Sequence, residues 1–221
     1  MKGKISPSIM CADFLHLEEN IKILEQARVE YLHFDIMDGS FVPNFTLGPD
    51  LLNSVRKITT IPFDIHLMVN SPEKHLNLFD IRQGDIISVH QEATFHLQRV
   101  LQSIKVMGAR PSVAINPDTP ICSIEDILDD IEVVLIMAVN PGFAGQKLIP
   151  AMLRKIANLK KFIFNNGYNN IEIEVDGNVS LENAKKMREM GADIFVAGTS
   201  SIFIKNKDIR ILTEKLRKSI E

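Results

Sequence analysis

The sequence predicts an α/β protein, a single (β/α)8 TIM barrel that spans residues 1–221. Eight short β-rich runs recur about 28 residues apart, and stretches with helical apolar spacing lie between them. No Gly/Ser linker, charge block or low-complexity tract marks a domain boundary. A chain of 221 residues is long enough to build one such barrel around one core.

The predicted strands are residues 5–9, 31–37, 63–68, 86–90, 112–116, 133–139, 171–176 and 194–198. Between them, apolar residues recur at helical spacing in three sets: Leu17, Ile21 and Leu24; Leu97, Leu101 and Ile104; Leu153, Ile156 and Leu159. Two more helices are predicted to start at Ser71-Pro72 and Thr119-Pro120, where a capping hydroxyl precedes a proline suited to the first turn.

A doubly wound open sheet is the alternative architecture. Such a sheet usually carries a glycine-rich turn after its first strand. Here the first strand leads into Ser8-Ile9-Met10-Cys11, which contains no glycine. Eight nearly equal units therefore favour the barrel.

Composition excludes several classes of protein. The 25 Lys and Arg residues against 28 Asp and Glu residues give a net charge of −3, without the basic excess of a nucleic-acid-binding protein. The longest clean apolar run, residues 133–139, is far shorter than the roughly 20 residues of a membrane helix, and no signal-peptide core is present. Two cysteines, Cys11 and Cys122, make neither a disulfide scaffold nor a zinc cage. We therefore expect a cytoplasmic protein.

Polar residues occupy positions where a barrel interior is usually apolar. In the second predicted strand, the period of two directs His33, Asp35 and Met37 inward, opposite Leu32, Phe34 and Ile36. The third strand likewise directs His66 and Met68 inward, and the seventh directs Glu172, Glu174 and Asp176 inward. These side chains could be satisfied internal ion pairs, but together they favour a metal site. Imidazole and carboxylate ligands suit zinc, iron(II), manganese or cobalt.

Other residues near this cluster have less specific roles. His90 and Glu92 end the fourth strand, and a structural role is expected for both. Three methionines, Met37, Met68 and Met137, are predicted to line the cavity.

Glycine turns follow the last three predicted strands, at Gly142 and Gly145, at Gly177, and at Gly198. Any one of them is explained by ordinary turn chemistry. Three in succession favour a phosphate-binding site, because barrels often bind phosphate on these loops. The substrate expected from these features is a small phosphorylated molecule.

Five segments resemble the ribulose-phosphate 3-epimerase family, over nearly the whole chain. The segments are Ser6-Pro7-Ser8-Ile9, His33-Phe34-Asp35-Ile36-Met37-Asp38-Gly39-Ser40-Phe41-Val42-Pro43-Asn44, Asp64-Ile65-His66-Leu67-Met68, Asn140-Pro141-Gly142-Phe143-Ala144-Gly145-Gln146 and Glu174-Val175-Asp176-Gly177. The resemblance implies one divalent metal ion per chain, a homo-oligomer, and epimerisation at C3 of a ketose phosphate in the pentose phosphate pathway.

The resemblance also assigns roles to residues. It implies that the metal ligands are His33, Asp35, His66 and Asp176 and that Asp35 and Asp176 exchange protons with the substrate. It implies substrate contacts by Ser8, His66, Gly142, Phe143, Ala144, Gly145, Gly177, Asn178, Gly198 and Thr199. The predicted reaction converts D-ribulose 5-phosphate to D-xylulose 5-phosphate, and two carboxylates on opposite faces of the substrate suit an inversion. No organic cofactor is expected, because the reaction has no redox step.

Departures from the family pattern leave alternatives open. Ala144 and Asn178 stand where the family usually has glycine, and Met10-Cys11 and Thr199-Ser200 also depart from it. Several of these variants resemble the allulose-6-phosphate 3-epimerase branch, which would convert D-allulose 6-phosphate to D-fructose 6-phosphate. A barrel enzyme with Schiff-base chemistry would need a lysine in one of the predicted strands, and none has one. A non-catalytic sugar-phosphate-binding barrel would not need both aspartates.

Overall fold

Eight parallel strands form a closed barrel in the computed structural model, which describes residues 2–221. The strands are β1 (Lys4–Pro7), β2 (Leu32–Asp38), β3 (Phe45–Thr46), β4 (Phe63–Met68), β5 (Ile86–His90), β6 (Arg110–Ile115), β7 (Val133–Met137), β8 (Glu172–Asp176) and β9 (Ile194–Ala197). The order is β1-β9-β8-β7-β6-β5-β4-β2-β3, parallel throughout except for β3. A parallel bridge between Ser8, which follows β1, and His33 of β2 joins the two ends of the parallel sheet and closes the barrel. The predicted barrel is confirmed.

Helices surround the barrel and cover its outer face. They are α1 (Leu17–Gln26), α2 (Pro49–Val55), α3 (Leu97–Val106), α4 (Ala151–Asn165), α5 (Leu181–Glu189) and α6 (Ile209–Ser219). The three sets of helical spacing fall in α1, α3 and α4, as predicted. Within residues 2–221, no helix combines the length and apolar character that crossing a membrane requires.

The two predicted helix starts form 3-10 helices, Pro72–Lys74 and Ile121–Asp130, instead of α-helices. The predicted capping by hydroxyls is also wrong. Ser71 adopts a left-handed conformation with φ 54° and makes no side-chain cap. The Thr119 hydroxyl donates to the Glu92 carboxylate instead of capping a backbone N–H. The Ser71 backbone N–H donates to the Ala93 carbonyl at 2.9 Å, so hydrogen bonds to other segments fix both positions.

Alternation along the strands separates the two faces of the barrel wall. Leu32, Phe34 and Ile36 of β2 belong to the apolar core between the barrel and its helices. His33 and Asp35, at the intervening positions, are buried inside the barrel. Side chains at successive strand positions point to opposite faces, so this separation follows directly from the sequence.

Charged side chains close the end of the barrel at which the strands begin. Arg110 pairs with Glu132 at 2.9 Å and with Glu172 at 2.8 Å, and Lys4 also pairs with Glu172. Glu172, which the period of two directs inward, is therefore paired at the opposite end of the strand from Asp176. The candidate functional site lies at the opposite end of the barrel, where the strands end.

Candidate active site

Three parallel strands bring two imidazoles and two carboxyl groups together inside the barrel. His33 and Asp35 lie on β2, His66 lies on β4, and Asp176 ends β8. Asp35 and His66 are paired in register across the two neighbouring strands. One potential ligand atom from each of the four residues lies within 4.8 Å of the others. This distance range allows a single ion to contact all four.

The nitrogens that face this group are buried and unpaired. Asp35 Oδ1 lies 3.3 Å from His33 Nε2 and 3.5 Å from His66 Nδ1, and Asp176 Oδ2 lies 3.8 Å from His66 Nδ1. Neither nitrogen has a hydrogen-bond partner in the described structure. A buried polar atom without a partner is costly, and metal coordination would remove that cost. The donor set therefore fits a divalent cation of the zinc, iron(II), manganese or cobalt type.

The far nitrogens of both imidazoles are hydrogen-bonded. His33 Nδ1 lies 2.6 Å from Asp64 Oδ2, which also accepts a 2.7 Å hydrogen bond from the Ser6 hydroxyl. His66 Nε2 lies 2.8 Å from His90 Nε2. Sequence reasoning missed Asp64, although it precedes His66 by two positions in the same strand and therefore faces inward too.

The two aspartates have opposite pKa shifts. Burial and the nearby charge of Asp35 together raise the pKa of Asp176 to about 7. Burial also acts to raise the pKa of Asp35, but the charge of His33 and the proximity of the His66 ring lower it overall. At neutral pH, one carboxyl group is therefore ionised while the other can hold a proton.

A second group of buried titratable side chains lies beneath the site. Burial and the charge of Asp64 raise the pKa of Glu174 well above its ordinary value. Glu174, Asp64 and His33 also have potential ligand atoms within 4.8 Å of one another. All three are fully buried, so this group lies farther from solvent than the first.

His90 is buried beside His66, and Glu92 follows it on a short 3-10 segment, Gln91–Ala93. Burial lowers the pKa of His90 to about 4, so its ring is neutral at physiological pH. His90 Nδ1 lies 3.2 Å from Glu92 Oε2. The two residues therefore lie outside the four-residue group but are connected to it through His66.

A cavity opens at the ends of the strands, directly beside the two aspartates. The Ser8 hydroxyl, in its wall, donates a 2.6 Å hydrogen bond to Asp35 Oδ2. The remaining predicted residues in its lining are Met37, Met68, Met137, Gly142, Phe143, Ala144, Gly145, Gly177, Asn178, Gly198 and Thr199. The structure thus gathers the residues of the predicted phosphate site around one opening. His33 and His66 lie below this lining, fully buried.

Two loops of this cavity are held together by backbone geometry and one amide. Gly177 has φ +115°, and a Cβ there would lie 2.7 Å from Val139 Cγ2. Asn178 has φ 51°, and its Nδ2 donates a 2.8 Å hydrogen bond to the carbonyl of Gln146. Glycine is therefore needed at 177 for both conformation and space, and Asn178 joins the loops after β7 and β8.

Comparison with solved structures supports the same fold. The chain matches 3-hexulose-6-phosphate synthase with a TM-score of 0.68 and 13% identity, covering 100% of both chains. It matches a mutant tryptophan synthase α-subunit from Pyrococcus furiosus with a TM-score of 0.67 and 15% identity, covering 100% of this chain and 97% of that one. At these identities the likeness concerns the fold alone.

Sequence relatives are much more similar. The chain is 44% identical over 197 residues to ribulose-phosphate 3-epimerase from Bacillus subtilis, covering 89% of this chain and 91% of the relative. It is 44% identical over 216 residues to ribulose-phosphate 3-epimerase from Methanocaldococcus jannaschii, covering 98% and 90%. The profile of the family "Ribulose-phosphate 3 epimerase family" matches residues 4–203. The chain therefore belongs to the ribulose-phosphate 3-epimerase family, as its motifs predicted.

Proposed function

We propose that this protein epimerises D-ribulose 5-phosphate and D-xylulose 5-phosphate at C3. The observation that carries the proposal is the pair Asp35 and Asp176, a buried and a half-buried carboxyl group with opposite pKa shifts beside one cavity. Two relatives that bear the name ribulose-phosphate 3-epimerase are 44% identical to this chain over 197 and 216 residues. Inversion at a carbon next to a carbonyl requires that one group remove a proton and another return one to the opposite face.

Asp35 and Asp176 suit these two roles. They lie on β2 and β8, on different sides of the barrel mouth, so a ketose between them would present its C3 to both. An ionised Asp35 can accept the C3 proton of one epimer, while a protonated Asp176 donates to the other face. In the reverse direction, the two groups exchange these tasks. The intermediate is the enediolate of the ketose.

One divalent ion per chain is part of this proposal, with His33, Asp35, His66 and Asp176 as its ligands. When bound, such an ion would supply Lewis-acid polarisation of the substrate carbonyl at C2. The buried nitrogens His33 Nε2 and His66 Nδ1, which have no partner in residues 2–221, support this assignment. Zinc, iron(II), manganese and cobalt all suit the ligand set.

The phosphate is proposed to lie on the glycine turns after β7, β8 and β9. Gly177 and Gly198 let the backbone of these turns pack closely against the rest of the cavity wall, because a Cβ at Gly198 would lie 3.1 Å from Cys11 Sγ. Backbone N–H groups of such turns bind anions well. Binding energy from the phosphate can then hold C3 between the aspartates.

The sugar is tested by parallel assays of two substrates. Purified protein is supplied with D-ribulose 5-phosphate or D-allulose 6-phosphate, and product formation is measured with coupling enzymes specific for D-xylulose 5-phosphate or D-fructose 6-phosphate. We expect a higher kcat/KM for the pentose phosphate. Preference for the hexose phosphate would assign the chain to the allulose branch, which several of its departures from the family pattern resemble. Failure to introduce solvent deuterium at C3 of either sugar would refute the epimerase.

The proposal extends to organisation and assembly. Residues 1–221 are proposed to form one catalytic domain, and the resemblance to the family supports a homo-oligomer. Sedimentation velocity of the metal-loaded protein would give the mass of the assembly. A monomer at micromolar concentration would contradict this part of the proposal without affecting the reaction.

A further inference from the structure

The imidazole of His66 is held between the site and a second histidine. Its Nδ1 lies 3.5 Å from Asp35 Oδ1 and has no hydrogen-bond partner, whereas its Nε2 lies 2.8 Å from His90 Nε2. The ring centroids lie 5.0 Å apart and the ring planes are inclined by 29° to each other. Both side chains are fully buried, so water does not compete for this bond.

Either ring nitrogen could donate the hydrogen bond between the two neutral rings. Only one of these two directions also suits the Glu92 carboxylate beside His90. His90 Nδ1 lies 3.2 Å from Glu92 Oε2, and an ionised carboxylate can only accept. His90 must therefore carry its proton on Nδ1, and its bare Nε2 accepts from His66 Nε2–H. This leaves a lone pair on His66 Nδ1, which points into the four-residue group.

The opposite orientation has two faults. It places the bare Nδ1 of His90 against a carboxylate oxygen, so that two acceptors face each other. It also places a proton on His66 Nδ1, where a metal needs a lone pair. Neither fault arises when His90 carries its proton on Nδ1, facing Glu92, and His66 carries its proton on Nε2.

Glu92 is itself fixed by the next loop. Its Oε1 accepts from the Asn116 N–H at 3.1 Å and from the Thr119 hydroxyl. The Lys155 ammonium holds this loop, since its Nζ donates to the carbonyls of Asn116 at 2.6 Å and Thr119 at 2.5 Å. The carboxylate therefore has a defined position, and it can orient the His90 ring in turn.

We infer that His90 and Glu92 are positioning residues that set the tautomer and the orientation of His66 as a metal ligand. The inference rests on the metal site of the proposed function. His33 has a simpler arrangement of the same kind, because its Nδ1 bonds directly to the Asp64 carboxylate. Partners of this kind, behind the ligand, contribute about 10- to 100-fold to metal affinity in other proteins.

The first test measures where the protons are. Nitrogen NMR of protein labelled with ¹⁵N-histidine, metal-free and loaded with Zn²⁺, distinguishes the two ring tautomers of each residue. We expect the proton on Nε2 of His66 and on Nδ1 of His90 in both forms. A proton on Nε2 of His90 would overturn the inference. This measurement requires no variant, so it does not depend on whether a substituted protein folds.

The second test measures affinity for Zn²⁺ and Co²⁺ by competition with a chelator. His90→Phe removes the acceptor for His66 while keeping a ring, and should weaken binding by about 10- to 100-fold. His90→Gln retains an acceptor and should restore part of the loss. Glu92→Gln keeps the side-chain volume, and it should also weaken binding. The control is Phe41→Leu, because Phe41 packs against the His90 ring at 4.6 Å without a polar link, and it should leave affinity unchanged.

The outcomes separate this inference from the proposed function. Metal binding by His90→Phe and Glu92→Gln with wild-type affinity would overturn the positioning role while leaving the metal site intact. An equal loss in Phe41→Leu would mean that packing, and not the hydrogen bond, holds His66. Absence of Zn²⁺ and Co²⁺ binding by the wild-type protein would refute the metal site itself, and the positioning role with it.

Discussion

Replacing either aspartate with asparagine should abolish proton transfer on one face of the substrate only. Among the cavity-lining residues of the described chain, Asp35 and Asp176 are the two that carry carboxyl groups. The thiol of Cys11 also lines the cavity, but burial raises its pKa, so it is a poor base at neutral pH. No neighbouring group can therefore replace a missing carboxylate. General acid–base catalysis is worth ~10²- to 10⁴-fold, so each variant should lose ~10³-fold in kcat/KM, or about 4 kcal/mol.

The fold should survive both substitutions. Asparagine keeps the size of aspartate, and at position 35 its carbonyl can still accept the hydrogen bond that the Ser8 hydroxyl donates at 2.6 Å. The two residues are also proposed metal ligands, so metal occupancy must be measured in each variant. Rates are then compared per bound ion, at a metal concentration that restores occupancy.

The decisive observation is which of the two epimers takes up solvent deuterium in each variant. With one carboxylate removed, the other can still exchange the C3 proton of the epimer whose C–H bond faces it, without inversion. Asp35→Asn and Asp176→Asn should therefore each introduce solvent deuterium into one epimer, and the two variants should select opposite epimers. Proton NMR of the recovered sugar phosphates measures this. Exchange of the same epimer by both metal-loaded variants, or epimerisation near the wild-type rate by either, would refute the two-base mechanism.

Three further predictions concern the metal, the phosphate and a loop. His66→Ala should lower Zn²⁺ affinity at least about tenfold in a chelator competition, and unchanged affinity would exclude His66 as a ligand. The dephosphorylated ketose should show both a lower kcat and a higher KM, because the phosphate helps to position C3, and equal kcat/KM for the two sugars would contradict the glycine-turn site. Gly177→Ala should lower the free energy of unfolding by about 1–3 kcal/mol more than Gly108→Ala, as measured by urea denaturation. Both glycines have positive φ, but only at Gly177 would the new Cβ meet Val139, so equal losses would show that this contact relaxes without cost.

Much of the barrel is readable from the sequence because its signals are local. The spacing of β-rich runs predicts the strands, and the period of two predicts which residues of β2, β4 and β8 face inward. His33 and Asp35 could therefore be predicted as interior residues from their own strand alone. The same reasoning applies to Asp64, since it shares the inward face with His66.

Local signals fail where distant segments compete. Thr119 precedes a proline and has the chemistry of a helix cap, yet its hydroxyl bonds to Glu92 on another loop. The segment after it is a 3-10 helix, Ile121–Asp130. Capping and a tertiary hydrogen bond compete for the same hydroxyl, and their free energies are of similar size, so the sequence cannot decide between them.

The sequence by itself determined the fold class, the family and the residue types of the site, since these depend on periodicity and on short motifs. Only the tertiary structure decided the distances between groups and the protonation that follows from them. Asp35 and Asp176 are far apart in the chain, yet the closed barrel brings their oxygens close enough for the charge of Asp35 to raise the pKa of Asp176. The bond between His66 and His90 likewise exists only because β4 and β5 are neighbours. Electrostatic coupling depends on separation in space and on burial, and neither is encoded in any single segment.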